Sequence, residues 1–142
     1  MFDILNKYRQ NGHFFLISGD ELNKTCNAPE KQVGVFLVYA LKNGKIEIVF
    51  IGGTGDMNKR KLTVVQNTGT GGLKDELING PDTPRKILWP GRMEEENIEA
   101  LDIYWYITLN EIHNDSPGKV ENWLFERHYE LFHRLPRWNF DL

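Results

Sequence analysis

A carboxylate stands where the helical pattern of this chain calls for an apolar side chain. Between Pro117 and about residue 134, Val120, Leu124, Phe125, Leu131, Phe132 and Leu135 fall on one face at about 100° per residue, and Glu121 points into the middle of that face. Glu126 points the other way. An ionised carboxylate buried without compensation costs several kcal/mol, a large share of what holds one domain together. Glu121 therefore calls for a metal, a cation or a catalytic reason to be there.

Other chemistry-bearing residues carry less. Lys59-Arg60-Lys61, Arg85-Lys86 and Arg127/Arg134/Arg137 are basic clusters able to meet phosphates, but a solvated face is the commoner explanation of each. Thr68-Gly-Thr-Gly-Gly72 lacks Gly-x-Gly-x-x-Gly, and Lys74 is followed by Asp75 rather than Ser or Thr, so turns explain the glycines better than a nucleotide cradle does. His128 shares the apolar side of the last helix and reads as a core histidine, while His13, His113 and His133 lack a carboxylate or His at helical spacing. Trp105 and Trp123 read as core residues rather than base-stacking platforms.

The elements that must position these residues are set by turn and periodicity signals. Residues 34–41 and 46–51 are β-branched and aromatic runs separated by Asn43-Gly44, a pair that accepts the positive φ angles of a type I′ turn, so they form an antiparallel hairpin. The first run is apolar on both faces, which places it inside a sheet covered on both sides. Leu73 to Ile78 predicts a two-turn helix, Pro81, Pro84, Pro90 and Gly91 an irregular stretch to about residue 92, Met93 to Leu101 a helix, and residues 103–108 a third strand. Upstream, residues 2–10 suggest a short amphipathic helix, Phe14 to Ile17 an edge strand, and Glu21 to Ala28 a helical turn stopped by Pro29. The expected fold is α+β: a small antiparallel three-stranded sheet flanked by helices over residues 33–142, with residues 1–32 as an N-terminal extension packed on that unit.

Gly34-Val35-Phe36, then Phe50-Ile51-Gly52 across the hairpin, basic residues, a helical Glu and finally Pro136-Arg-Trp-Asn139 occur in an order that resembles the GIY-YIG nuclease family over roughly residues 33–140. The resemblance implies a divalent-metal-dependent DNA endonuclease. It implies Glu121 as the ligand of Mg²⁺ or Mn²⁺, Asn139 as a structural tie to the site, and Phe36, Phe50 and Gly52 as the packed motif residues. Both motif tyrosines are phenylalanine here, which leaves the general base unassigned, with Tyr39 and Lys74 as weak candidates. The family's arginine maps either to Arg60, by spacing from Gly52, or to the position of Glu76, by the look of the helix Gly72 to Leu77. In the second case a carboxylate replaces the phosphate-binding cation.

Composition sets the outer bounds. The chain has 142 residues, 40% hydrophobic and 12% aromatic, enough for one core without staples, and its single Cys26 reads as a small buried hydrophobe. A net charge of −3 argues against coating nucleic acid by bulk electrostatics. No secretory leader and no run of 18 apolar residues is seen, so a cytoplasmic protein away from membranes is expected. The expected function is phosphodiester hydrolysis on double-stranded DNA, of a restriction-like kind. The alternative is a catalytically degenerate domain that binds nucleic acid or a protein without cutting. A ligand-binding domain with a chance motif series ranks below both.

Overall fold

The computed structural model describes residues 1–55, 72–81 and 83–141. Among these, four strands form one antiparallel sheet: β1 (Asn11–Ile17), β2 (Val33–Lys42), β3 (Lys45–Gly53) and β4 (Ala100–Leu109), in the order β1-β4-β2-β3. Four α-helices accompany them: α1 (Leu22–Thr25), α2 (Gly72–Asn79), α3 (Arg85–Glu96) and α4 (Pro117–Phe132). Short 3-10 helices, Asp3–Lys7 and Arg137–Asp141, close the two ends.

The expected hairpin forms as the turn chemistry requires. Asn43 and Gly44 have φ of 51° and 75°, and Lys42 pairs with Lys45. Further along, Tyr39 pairs with Ile48 but Val38 pairs with Phe50, so Val49 is an extra residue in a β-bulge. Uninterrupted pairing from the turn would have set Phe36 opposite Ile51. The bulge sets it opposite Gly52 instead and brings the Phe50 ring to the same face as Phe36, with centroids 5.9 Å apart.

The sheet has four strands rather than three. Phe14 and Leu16 alternate inward along β1, which pairs with β4 from Asn11↔Tyr106 to Ile17↔Ala100, so residues 11–17 belong to the sheet itself rather than to an extension packed against it. One face packs Phe14, Leu16, Phe36, Val38, Leu101 and Ile103 against α1, α2, α3 and Trp138. The other packs Val35, Leu37, Ile48 and Ile51 against Val120 and Leu124 of α4 and against Phe2, Leu5 and Tyr8. β2 is covered on both sides, as its unbroken apolar run requires.

The irregular stretch expected up to residue 92 is instead a helix from Arg85, and the helix expected from Met93 to Leu101 ends at Glu96. Pro84 stands just outside the first turn, and Pro90 costs one interior hydrogen bond. Burial of Arg85, Trp89 and Met93, four residues apart on one face, offsets that loss. Asn97 then takes the left-handed conformation at φ 58°, its N–H donates to Glu94, Ile98 N–H donates to Met93 O, and the chain leaves for β4.

Candidate functional site

The end of the β2–β3 hairpin is built around glycine. A Cβ on Gly34 would lie 1.8 Å from the Tyr106 carbonyl oxygen, so only glycine fits where β2 closes on β4. Thr54 N–H donates to Gly34 O at 3.0 Å, continuing the hairpin past its last ladder pair. A Cβ on Gly52 would meet the Phe36 and Phe50 rings at 2.5 and 2.7 Å, and one on Gly55 would meet Gly118 N at 2.7 Å, where β3 abuts the start of α4.

Glu121 reaches this glycine end from α4. That helix starts with Ser116 as N-cap, its Oγ accepting from Lys119 N–H, and Pro117 in the first turn. Its buried stripe is Pro117, Val120, Glu121, Leu124 and His128, so Glu121 lies on the core face as its position in the sequence indicates. The apolar face is shorter than expected, because Leu131 and Phe132 are exposed and His133 ends the helix at φ 59°. Glu121 Oε1 lies 3.3 Å from where a Cβ on Gly53 would be, and Gly53 pairs with Val35 on the α4 side of the sheet. Any larger residue at 53 would press on the carboxylate.

On the opposite face of the same sheet end lies a cation. Arg85, the first residue of α3, is buried among Phe36, Phe50 and Trp89, its Cζ 5.3, 5.1 and 5.7 Å from their ring centroids. Its Nη1 donates to the backbone carbonyl of Glu76 and lies 3.4 Å from the Glu76 Oε2. Burial pushes the Arg85 guanidinium below its ordinary value, while the charges of Glu76 and Glu121 act to keep it protonated.

Asn139 fastens the chain end to β3. Its Nδ2 donates to Ile51 O and its Oδ1 accepts from Ile51 N–H, both at 3.0 Å and both buried. One amide thus stands in for a neighbouring strand on the outer edge of β3. Arg137 beside it forms two hydrogen bonds to Glu47 and pairs with Glu96 at 2.9 Å, holding the chain end against the hairpin and α3.

The remaining candidates are scattered. Arg60, with Lys59 and Lys61, lies outside the described residues. Glu76 faces a cation, with Arg85 Nη1 at 3.4 Å. Tyr39 lies four residues from Val35 along β2, roughly 13 Å at strand spacing. Burial first, then neighbouring Tyr106, Tyr104 and Asp102, push its hydroxyl up to about 12, which suits it poorly as a base. Lys74 is half-buried on α2, its N–H on Pro29 O. His128 is a satisfied core histidine, its Nδ1 2.7 Å from Arg134 O, and His13 finds a carboxylate across the sheet, Asp102 at 2.9 Å. Among the described residues no group of three or more His, Cys, Asp or Glu side chains is placed to hold a metal ion, and no helix is long and apolar enough to cross a membrane.

The sequence marks Arg85 only as part of a basic cluster with Lys86, not as a buried residue. Its signal was the same as that of Glu121, a charge at the i, i+4, i+8 spacing of buried Trp89 and Met93, but the prolines hid the helix that gives the spacing its meaning. No family model, curated protein or solved structure matches this chain.

Proposed function

We propose that the chain is a divalent-metal-dependent phosphodiester hydrolase acting on DNA, with the glycine end of the β2–β3 hairpin as its active site. The observation that carries this reading is the buried Glu121 carboxylate directed at Gly53, in a hairpin whose Phe36 and Phe50 rings and Asn139 clasp match the motif order read from the sequence. The Glu121 carboxylate is a buried oxygen donor, and the glycine at 53 puts backbone rather than a side chain beside it. Both features fit a hard cation held by one protein carboxylate, with water and phosphate as its other ligands. A bound Mg²⁺ or Mn²⁺ would supply charge neutralisation at phosphate and a more acidic water.

The chain's own residues have simpler tasks. Glu121 would bind and orient the cation, the bulge fixes the Phe rings on the opposite face of the sheet, and Asn139 keeps β3 from shifting. Phe36 and Phe50 carry no hydroxyl, so neither can hold or move a proton, and Tyr39 is remote. In this reading the attacking water loses its proton to solvent or to a substrate phosphate oxygen. The test is nicking of supercoiled plasmid with Mg²⁺ or Mn²⁺, with chelator and Glu121→Gln as controls. Metal-dependent nicking abolished by Glu121→Gln supports the reading, and intact plasmid across metals and salts contradicts it.

A second reading, a degenerate domain that binds DNA or a protein without cutting, is favoured by one observation: the Arg85 guanidinium is engaged by Glu76 instead of being presented outward. It predicts a metal-indifferent gel shift with duplex DNA and no turnover.

A further inference from the structure

We propose that His13, held by Asp102 and Tyr104 on the exposed side of β1, is an acyl-accepting nucleophile that cleaves activated esters at a site separate from the glycine end. β1 and β3 are the opposite edges of the sheet, so this group shares no strand with the hairpin. The arrangement is built across strands. β1 pairs with β4 so that His13 lies opposite Tyr104 and Phe15 opposite Asp102, and the His13 Nδ1 reaches diagonally to within 2.9 Å of Asp102 Oδ1. The imidazole stacks on the Tyr104 ring with centroids 4.7 Å apart and planes 8° apart, and it meets Phe15 edge-on at 5.7 Å. The His13 side chain is 46% exposed and that of Asp102 only 14%, so the carboxylate is the deeper partner and the imidazole the presented one.

These contacts fix the tautomer. An ionised carboxylate only accepts, so Nδ1 carries the proton and donates it, which leaves the lone pair on Nε2. Nε2 has no partner among the described residues. A lone pair held in one direction and open to approach is what a nucleophile requires. Burial first, and then the Asp102 carboxylate, push the Tyr104 hydroxyl up, so it stays a neutral donor beside the pair. The other histidines differ. His128 is buried with Nδ1 on a carbonyl, His113 packs edge-on to Tyr8 at 5.0 Å, and His133 is exposed beyond α4 without a carboxylate at ion-pair distance among the described residues.

The substrate class follows from charge. A phosphoryl donor would bring anionic oxygens beside Asp102, whereas an acyl carbonyl is neutral, and Phe15 and Ile17, 45% and 53% exposed, give its chain apolar surface on the same side of β1. Nε2 adds to the carbonyl carbon of an aryl ester or thioester, the C–O or C–S bond breaks, and the aryl oxide or thiolate leaves with the bonding pair. The acylimidazolium so formed keeps its Nδ1 proton on Asp102, whose negative charge balances it. Water then adds to the acyl carbon and gives one proton to solvent. The C–N bond breaks, the carboxylic acid departs and the electron pair returns to Nε2.

Limited treatment with diethyl pyrocarbonate, resolved residue by residue by mass spectrometry, tests the nucleophile with His133 as an exposed control in the same molecule. His13 should be modified first, about tenfold faster than His133, a modest share of the rate effect a positioned imidazole can have. Asp102→Asn should bring His13 down to the His133 rate, and Asp102→Glu should keep most of the difference. Turnover is read as release of p-nitrophenol from p-nitrophenyl acetate at about pH 8, where His13→Asn should lower kcat/KM about 100-fold, the lower end of the range for such a group. A wild-type His133 that reacts as fast as His13, a comparison that needs no variant, would overturn the proposal. So would a His13 rate unmoved by Asp102→Asn, or equal ester turnover by His13→Asn and wild type.

Discussion

Asn139 makes the clearest single-residue claim on stability. Replacing it with Ala leaves both the N–H and the carbonyl of Ile51 without their partners on a buried strand edge. Leaving such groups unsatisfied costs about 1–3 kcal/mol each before relaxation, so Asn139→Ala should lower the unfolding free energy by about 2–4 kcal/mol in urea titration. A loss under 0.5 kcal/mol would mean that the clasp is dispensable. At this scale the sequence was legible where a helix was legible: Glu121 stood out because its neighbours were periodic, and Asn139 because of the motif order. The partners of these residues could not be read, because Ile51 and Asn139 are 88 positions apart, and because Arg85 and Glu121 reach the same sheet end only once α3, β4 and α4 have folded.

The elements obey local chemistry except where packing overrides it. The hairpin, α2 and the start of α4 follow from Asn43-Gly44, from the short apolar pattern at 73–78 and from Ser116-Pro117. α3 does not follow, since Pro90 sits at its sixth residue and is held there by the burial of Trp89 and Met93. Pro90 is exposed, so Pro90→Ala restores a helix hydrogen bond without disturbing the core and should stabilise the protein by about 1–3 kcal/mol, measured as a rise in melting temperature. A lower melting temperature would show that Pro90 is needed for the shape of α3. Gly34→Ala should have the opposite effect, because its Cβ would collide with the backbone of β4 at the Tyr106 carbonyl. Little soluble folded protein is expected from it, as judged by circular dichroism. The bulge at Val49 is the feature that sequence could least reveal, since the turn sets a register that the chain abandons six residues later.

Across the whole molecule, the polar clasps that close both chain ends predict acid lability. Burial lowers the proton affinity of His128 despite its bond to Arg134 O. Burial works against the Glu96 carboxylate, but hydrogen bonds from Arg137 and Trp138 outweigh it and hold the group below its ordinary value. Asp115 is held low by the Tyr8 hydroxyl and Lys7. All three bind protons more weakly folded than unfolded, so their stabilisation is full above the unfolded value and is lost as pH falls through the folded one. Melting temperature should therefore begin to fall below about pH 6.5 as His128 protonates in the unfolded chain, and fall further below about pH 4.5 as Glu96 and then Asp115 follow. His128→Gln should remove the upper limb alone, and an unchanged limb would assign it elsewhere. The overall architecture was legible as one layered α+β unit. β1 is legible as an edge strand but not as a member of the main sheet, because one short alternating run gives little signal beside an exposed Phe15 and Ile17.

The measurement that tests the central claim most directly is plasmid nicking by wild-type and Glu121→Gln protein side by side, in Mn²⁺ and in chelator, with melting curves taken on the same preparations. The account predicts metal-dependent nicking by the wild type and at least a 100-fold loss in Glu121→Gln, with that variant still melting cooperatively as a folded protein. Nicking that survives Glu121→Gln, or a variant that loses activity only because it no longer folds, would contradict it.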